Sequence, residues 1–369
     1  MRWVKFIVIG VIFIAAGIAW RMYRAPKLEP VPVAPVKPIG IPVETTAPRG
    51  LPPVPIPADN PPTEETIALG RKLFYDTILS ADKTTACSTC HNPDLGFADG
   101  RELPEGARGQ KGSRNAPTVL NAAYNTLLSW DGRAPSLEQQ TEARVRNPAE
   151  MAHSLEGVES KLMANPTYEV AFEKAFGPEP IKFQMVAQAI ASFERTILTG
   201  DSAFDRYLYG GDNKALSKAA ARGLEVFRNP EKDNCAACHR IDESFALFTD
   251  YQFHNLGVGV NAKGQLTDSG RCAVTKNDAD RGAFKTPTLR NVALTAPYMY
   301  DGSLKTLREV IDFHARGGNT NPYLDKEIKP RDFLSEQERE ELAAFLEEAL
   351  TGPVAPNAGR PSTERQVRY

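Results

Sequence analysis

Three observations predict a mainly α-helical protein made of two copies of one cofactor-binding unit, joined by long irregular loops. The pentapeptide C-x-x-C-H occurs twice, as Cys87-Ser88-Thr89-Cys90-His91 and as Cys235-Ala236-Ala237-Cys238-His239. The stretches around each copy repeat in the same order. Few segments alternate polar and apolar residues for long, so little sheet is expected. In each pentapeptide two thiols can form thioethers to the vinyl groups of one haem, and the adjacent imidazole can reach the iron. A redox C-x-x-C does not require the trailing histidine, and a zinc site would not need it twice at one offset. The pattern predicts two covalently bound haem c groups. Cys87, Cys90, Cys235 and Cys238 attach them, and His91 and His239 ligate iron.

At the N-terminus, Arg2 and Lys5 precede an apolar run from Phe6 to Trp20, and Arg21 and Arg24 follow. The run is shorter than the ~18 residues of a spanning helix and suits the core of a signal peptide. Snorkelling of Lys5 and Arg21 would lengthen it. Residues 1–25 are read as a signal peptide or an uncleaved membrane anchor. Either places the body in the periplasm, where c-type haem attachment in bacteria is expected. Residues 26–62 carry prolines at 26, 30, 32, 35, 38 and 42 and again at 52, 53, 55 and 57. They read as a semi-rigid polyproline tether, whose reach at ~3.1 Å per residue is on the order of 100 Å.

From Thr63 the pattern turns helical. Glu64–Leu79 carries Ile67, Leu69, Leu73 and Phe74 at helical spacing behind Thr63, a suitable N-cap. Leu216–Phe227 repeats that plan ahead of Cys235, and Gly70–Phe74 (GRKLF) matches Gly223–Phe227 (GLEVF). Pro117–Asn121 (PTVLN) matches Pro287–Asn291 (PTLRN), Trp130-Asp131-Gly132 matches Tyr300-Asp301-Gly302, and Ser136-Leu137-Glu138 pairs with Thr306-Leu307-Arg308. Duplication of one unit explains these matches. The units are expected at 63–210 and 211–353, meeting after a helical stretch at Phe183–Leu198 and near Gly210-Gly211. A last amphipathic helix is expected at Glu336–Leu350 behind the cap Ser335, and 354–369 reads as a disordered tail.

Charge excludes little but is informative. Lys and Arg number 44 against 46 Asp and Glu, a net charge of −2 with both signs interspersed, so no nucleic-acid footprint exists. Four of the five cysteines lie in the haem motifs. Cys272 is left alone and reads as a small buried thiol.

From about Thr63 to Gly352 the order of motifs resembles the bacterial dihaem cytochrome c peroxidase and MauG family. The residues that carry the likeness are both pentapeptides, Arg114–Thr118 (RNAPT), Trp130–Arg133 (WDGR), Glu150-Met151, Pro287–Asn291 and Ala296-Pro297-Tyr298. The resemblance implies two cytochrome c-like domains. The N-terminal haem would react with hydrogen peroxide. The C-terminal haem would relay electrons from a small c-type cytochrome or cupredoxin. It also implies a homodimer.

By motif position, Gln140 and Glu150 resemble the family's distal glutamine and acidic catalyst, which move protons during cleavage of the O–O bond. Better-known members carry a histidine in the loop after the first haem motif, which caps the peroxidatic iron until the other haem is reduced. Ala107 stands at the corresponding position, and no histidine lies between His91 and His153. An N-terminal haem that is open when fully oxidised is therefore expected.

For the second haem the candidates for the other axial ligand are His314, Met299 and His254. Leu307, Val310, Ile311 and His314 share one helical face, so His314 follows the apolar stripe inward. The resemblance places the family's ligand here too, a methionine in better-known peroxidases and a tyrosine in MauG. His314 is the preferred ligand and Met299 the alternative; His254 and His153 are expected to make local or propionate hydrogen bonds. A second imidazole would remove the rise in potential that an axial methionine gives. Trp130 resembles the family's aromatic residue between the cofactors. A Ca2+ ion near it is implied by resemblance alone, with Asn115, Thr295 and Pro297 as oxygen donors. Two activities are expected: a cytochrome c peroxidase, or a MauG-like oxidase acting on a protein partner through Trp130.

Overall fold

In the computed structural model, which describes residues 36–232, 234–330 and 333–360, the longer helices are α1 (Glu64–Tyr75), α2 (Leu137–Arg146), α3 (Leu155–Met163), α4 (Pro166–Phe176), α5 (Phe183–Glu194), α6 (Ala203–Leu208), α7 (Lys218–Arg228), α8 (Leu307–Ala315) and α9 (Glu336–Ala344). The only strands among the described residues, β1 (Phe253–His254) and β2 (Phe284–Lys285), pair antiparallel with Phe253 opposite Lys285. The expected leader lies outside the described residues.

Local chemistry sets the helix ends. Thr63 Oγ1 accepts from the Thr66 amide at 3.1 Å, and Thr66 Oγ1 accepts from the Thr63 amide at 2.9 Å. This reciprocal cap starts α1 at the expected residue. The helix stops at Tyr75 rather than Leu79, because Asp76 accepts from the Ile78 amide at 2.8 Å and opens a separate 3₁₀ turn, Thr77–Leu79. Helix α9 starts behind Ser335 with its own reciprocal cap and passes at Phe345 into a π-helical turn that ends at Ala349.

Each half has its own apolar core. Leu73 and Phe74 of α1 are fully buried, and Phe74 meets Phe193 of α5 edge-on with centroids 5.3 Å apart. In the second half Phe227 of α7 packs against Phe345 at 5.1 Å. Burying such a side chain contributes about 1.5–3 kcal/mol. The duplicated glycines are what bring the helices this close. A methyl group at Gly70 would collide with the Ala189 carbonyl of α5, and one at Gly223 with the Glu341 carbonyl of α9. The duplicated asparagines act alike as well. Asn121 and Asn291 both adopt the left-handed conformation, which asparagine tolerates. Asn121 clamps the backbone of Thr199 at 2.9 and 3.0 Å, and Asn291 clamps that of Gly352 at the same two distances.

The halves are knit by buried polar contacts. Arg290 and Asp205 form a fully buried pair at 2.8 Å, and Arg290 also donates to the Gly50 and Ala246 carbonyls. Arg114 joins Asp131 at 2.7 Å to Asp268 at 2.8 Å.

Two sequence expectations are corrected. Residues 36–62 of the expected tether lie on the body: Leu51 and Asn60 are buried, Gln188 donates to the Val36 carbonyl at 2.9 Å, and the Ile39 amide donates to Ala175 O at 2.8 Å. A proline-rich strand keeps its carbonyls as acceptors, and side chains and amides of the body supply donors to them. Residues 354–360 of the expected tail are likewise docked. Ala358 joins the N-terminal core, and Arg71 donates to the Gly359 and Arg360 carbonyls at 2.8 and 2.7 Å. Residues 26–35 and 361–369 lie outside the described residues.

Candidate haem centres

Both pentapeptides fold into a single tight turn. Cys87–Cys90 is one helical turn in which Thr89 Oγ1 accepts from the Ala86 amide at 3.0 Å, and Cys235–Ala237 is a 3₁₀ turn. The turn brings the His91 amide to Cys87 O at 3.0 Å and the His239 amide to Cys235 O at 2.8 Å. His91 Nδ1 lies 3.2 Å from the Phe97 carbonyl and His239 Nδ1 lies 2.8 Å from the Phe248 carbonyl. A proton on each Nδ1, donated to that carbonyl, leaves Nε2 as a free lone pair. The loops that supply these carbonyls are themselves pinned: Thr118 Oγ1 donates to Gly96 O at 2.6 Å and Thr288 Oγ1 to Leu247 O at 2.9 Å. Burial lowers the pKa of both imidazoles, His239 to about 4, so the rings are neutral.

All six motif residues, Cys87, Cys90, His91, Cys235, Cys238 and His239, line one cavity of about 740 Å³. None of the four motif cysteines is held in a disulfide among the described residues, and the neutral imidazoles present Nε2, so the donor set fits two haem c groups.

The chain matches the family description "Di-haem cytochrome c peroxidase" over residues 64–214 and "Cytochrome c" over 220–349. It is 42% identical over 303 residues to the methylamine utilization protein MauG of Methylorubrum extorquens, covering 82% of this chain and 83% of that protein. It is 38% identical over 290 residues to the cytochrome c551 peroxidase of Pseudomonas aeruginosa, covering 78% and 79%. It belongs to the dihaem cytochrome c peroxidase and MauG family. Among solved structures, a MauG-like protein associated with microbial copper homeostasis superposes with a TM-score of 0.76 at 34% identity, over 85% of this chain and 98% of that one. Two cytochrome c-like domains, and with them two haem c groups, follow from this membership.

On the side of the cavity contributed by α2, Gln140, Arg144 and Glu150 lie on the same lining. Arg144 Nη1 donates to Glu150 Oε1 at 2.5 Å, and Asn147 Nδ2 donates to the same oxygen at 2.8 Å. Glu150 Oε2 makes no hydrogen bond among the described residues. Gln140 Oε1 accepts from Ser129 Oγ at 2.9 Å and from Arg144 Nη2 at 3.4 Å. With its oxygen tied back, the Gln140 amide keeps its N–H donors for the cavity. The loop carrying Ala107 is folded against this group, for the Ala107 amide donates to Glu150 O at 2.6 Å. Among the described lining residues, the N-terminal half contributes one imidazole, His91.

In the C-terminal half, His314 of α8 lines the cavity and sits near enough to His239 for their charges to interact. Burial lowers the His314 pKa to about 4. Its ring makes no hydrogen bond among the described residues. Met299 also lines the cavity. His254 has both ring nitrogens occupied, Nδ1 on Asp325 at 2.5 Å and Nε2 on Asp250 at 3.0 Å. It therefore makes the local bonds expected of it and presents no free lone pair. A contact with the Cys238 thiol, with Asp325 and Asp250 beside it, raises the His254 pKa to about 10. His153 does not line the cavity, and its Nε2 is buried without a partner among the described residues.

Trp130 lines the cavity at the seam of the halves. Its Nε1 donates to Asn115 O at 2.9 Å, and its carbonyl accepts from the Lys285 amide at 2.8 Å. Asn115, Thr295 and Pro297 lie on the same lining. Asn115 Nδ2 is turned to the Arg101 and Glu102 carbonyls at 3.0 and 3.3 Å, which leaves Oδ1 as its acceptor. Cys272 is half-buried and away from the cavity.

Sequence reasoning missed Arg144 and Glu194. Arg144 was signalled by its spacing, one helical turn after Gln140 on the same face. Glu194 ends α5, lines the cavity at 8% exposure and has an Oε2 without a partner among the described residues. No sequence pattern marks a buried carboxyl inside an otherwise apolar helix.

Proposed function

We propose that this protein reduces hydrogen peroxide to two waters, taking two electrons from a small c-type cytochrome or cupredoxin and two protons from solvent. The haem groups supply oxidant binding and electron storage. The observation that carries the reading is the cluster of Glu150, Gln140 and Arg144 on the cavity that His91 enters. Glu150 Oε2 takes the proton of the incoming peroxide and returns it to the oxygen that leaves. The Gln140 amide holds the bound oxidant in place. His314 and His239 would hold the C-terminal iron between two imidazoles, where the haem would pass charge and take no other ligand.

Steady-state oxidation of reduced cytochrome c by peroxide, with electron paramagnetic resonance of the oxidised protein, tests this. Rapid turnover with one high-spin and one low-spin ferric centre is expected. Two low-spin centres in every redox state would overturn it.

A second reading is a MauG-like oxidase that passes oxidising equivalents to a protein partner. The placement of Trp130 at the seam, with its indole fixed on Asn115 O, favours it. Poor peroxide turnover with oxidation of a bound partner protein would select this reading. We further propose periplasmic residence. In addition we propose a Ca2+ ion bound by Asn115 Oδ1 with the Thr295 and Pro297 carbonyls. Calcium retained through gel filtration and removed by a chelator, with a change in the haem spectrum, is the expected result. Among the described residues no helix is long and apolar enough to cross a membrane.

A further inference from the structure

Arg144 is more than a brace for Glu150. Its guanidinium is shared among Glu150 Oε1, Ser129 Oγ at 2.6 Å and Gln140 Oε1. Its Nε–H is buried and has no partner among the described residues, although the side chain lines the cavity. A guanidinium is always charged and presents five N–H donors in a fixed fork. The Nε–H is shut in behind the fork, but 30% of the side chain stays exposed where it lines the cavity, so the positive charge can be met by an acceptor from within the cavity. The preferred acceptor of a cation is an anion.

We propose that Arg144 makes the distal side of the N-terminal haem an anion site, and that it stabilises the negative charge appearing on peroxide oxygen during the reaction. The charge balance shows where it acts. Peroxide gives one proton to Glu150 Oε2 and becomes an anion beside the guanidinium. The O–O bond then breaks with its electron pair on the far oxygen. That oxygen takes back the proton from Glu150 and leaves as water. The other oxygen becomes the second water with two electrons from the donor and two protons from solvent. Negative charge is thus present from the first proton transfer until the departing oxygen is reprotonated. A cation already held in place on the cavity wall stabilises it without reorganising. The hydrogen bonds that Arg144 makes to Glu150 Oε1 and Gln140 Oε1 also leave Oε2 and the amide donors as the groups free to meet the oxidant. This inference rests on an N-terminal iron with an open face, but not on whether the electrons come from a cytochrome or from a partner protein.

Fluoride, a redox-inert anion, is the probe. The haem-loaded ferric protein would be titrated with fluoride and followed by its visible spectrum, as wild type and as the variants R144A, R144K and E150Q, each with haem content checked by covalent haem staining. R144A is expected to weaken fluoride at least tenfold. R144K, which keeps the charge but not the fork, should fall between it and wild type, and E150Q should tighten binding by removing a competing negative charge. Equal fluoride affinity in wild type, R144A and R144K, with both haems attached, would overturn the inference while leaving the open face intact. A wild-type protein that takes up no fluoride would overturn it by a different route, by removing the open face itself.

Discussion

Replacing Glu194 by glutamine should flatten the pH dependence of stability. The carboxyl sits at the end of α5 with 8% exposure, and its Oε2 has no partner among the described residues. Burial is the main cause that pushes it up to about 8; Arg195 lowers it and Glu138 raises it. The Arg195 charge is largely spent on Glu138, 2.9 Å away. From α1, Arg71 and Lys72 are directed elsewhere, to the 359–360 backbone and to Thr167. Cys87, the other titratable group beside it, ceases to titrate once joined to haem. In the unfolded chain a glutamate loses its proton near pH ~4.3. Between that value and about 8 the folded state holds a proton that the unfolded state has released. The stabilising contribution is therefore complete at the acid end and is lost as pH rises through this interval. At ~1.4 kcal/mol per pH unit the full loss is on the order of 3–5 kcal/mol. Glutamine cannot ionise and removes the slope. Denaturant unfolding of the haem-loaded protein at several pH values from about 5 to about 9 measures it. Glu194→Gln should gain several kcal/mol on wild type between the two ends of that range. Parallel curves for the two proteins would refute the reasoning.

Two further outcomes are expected. Asp205→Ala leaves Arg290 charged and fully buried, and should cost about 3–5 kcal/mol in a denaturant titration; a loss below about 1 kcal/mol would mean that the Gly50 and Ala246 carbonyls suffice. His314→Ala should convert the low-spin ferric signal to high spin, and His314→Met should raise the potential of that centre in a spectroelectrochemical titration. A low-spin signal that survives His314→Ala would point to Met299.

The two haem motifs and the helices around them were legible because their determinants are local or duplicated. Thr63 and Ser335 mark their helix starts through side-chain caps within three residues. Gly70 and Gly223 stand out only because they recur at one place in each half, and the structure gives the reason, a helix pressed against each. The segment 36–62 was misread because proline content reports backbone conformation, whereas docking depends on donors such as Gln188 that lie far away in sequence.

The sequence by itself determined where each haem is expected to attach and which imidazole would meet each iron, since the spacing of two thiols and a histidine is a property of five consecutive residues. It also determined that no histidine follows the first motif before His153. Only the tertiary structure decided that Arg144 gathers Gln140, Ser129 and Glu150, that His254 is occupied by two carboxylates, and that Glu194 Oε2 is shut away without a partner among the described residues. Those facts depend on which surfaces are buried together, and burial is set by contacts between segments that chain order does not bring near.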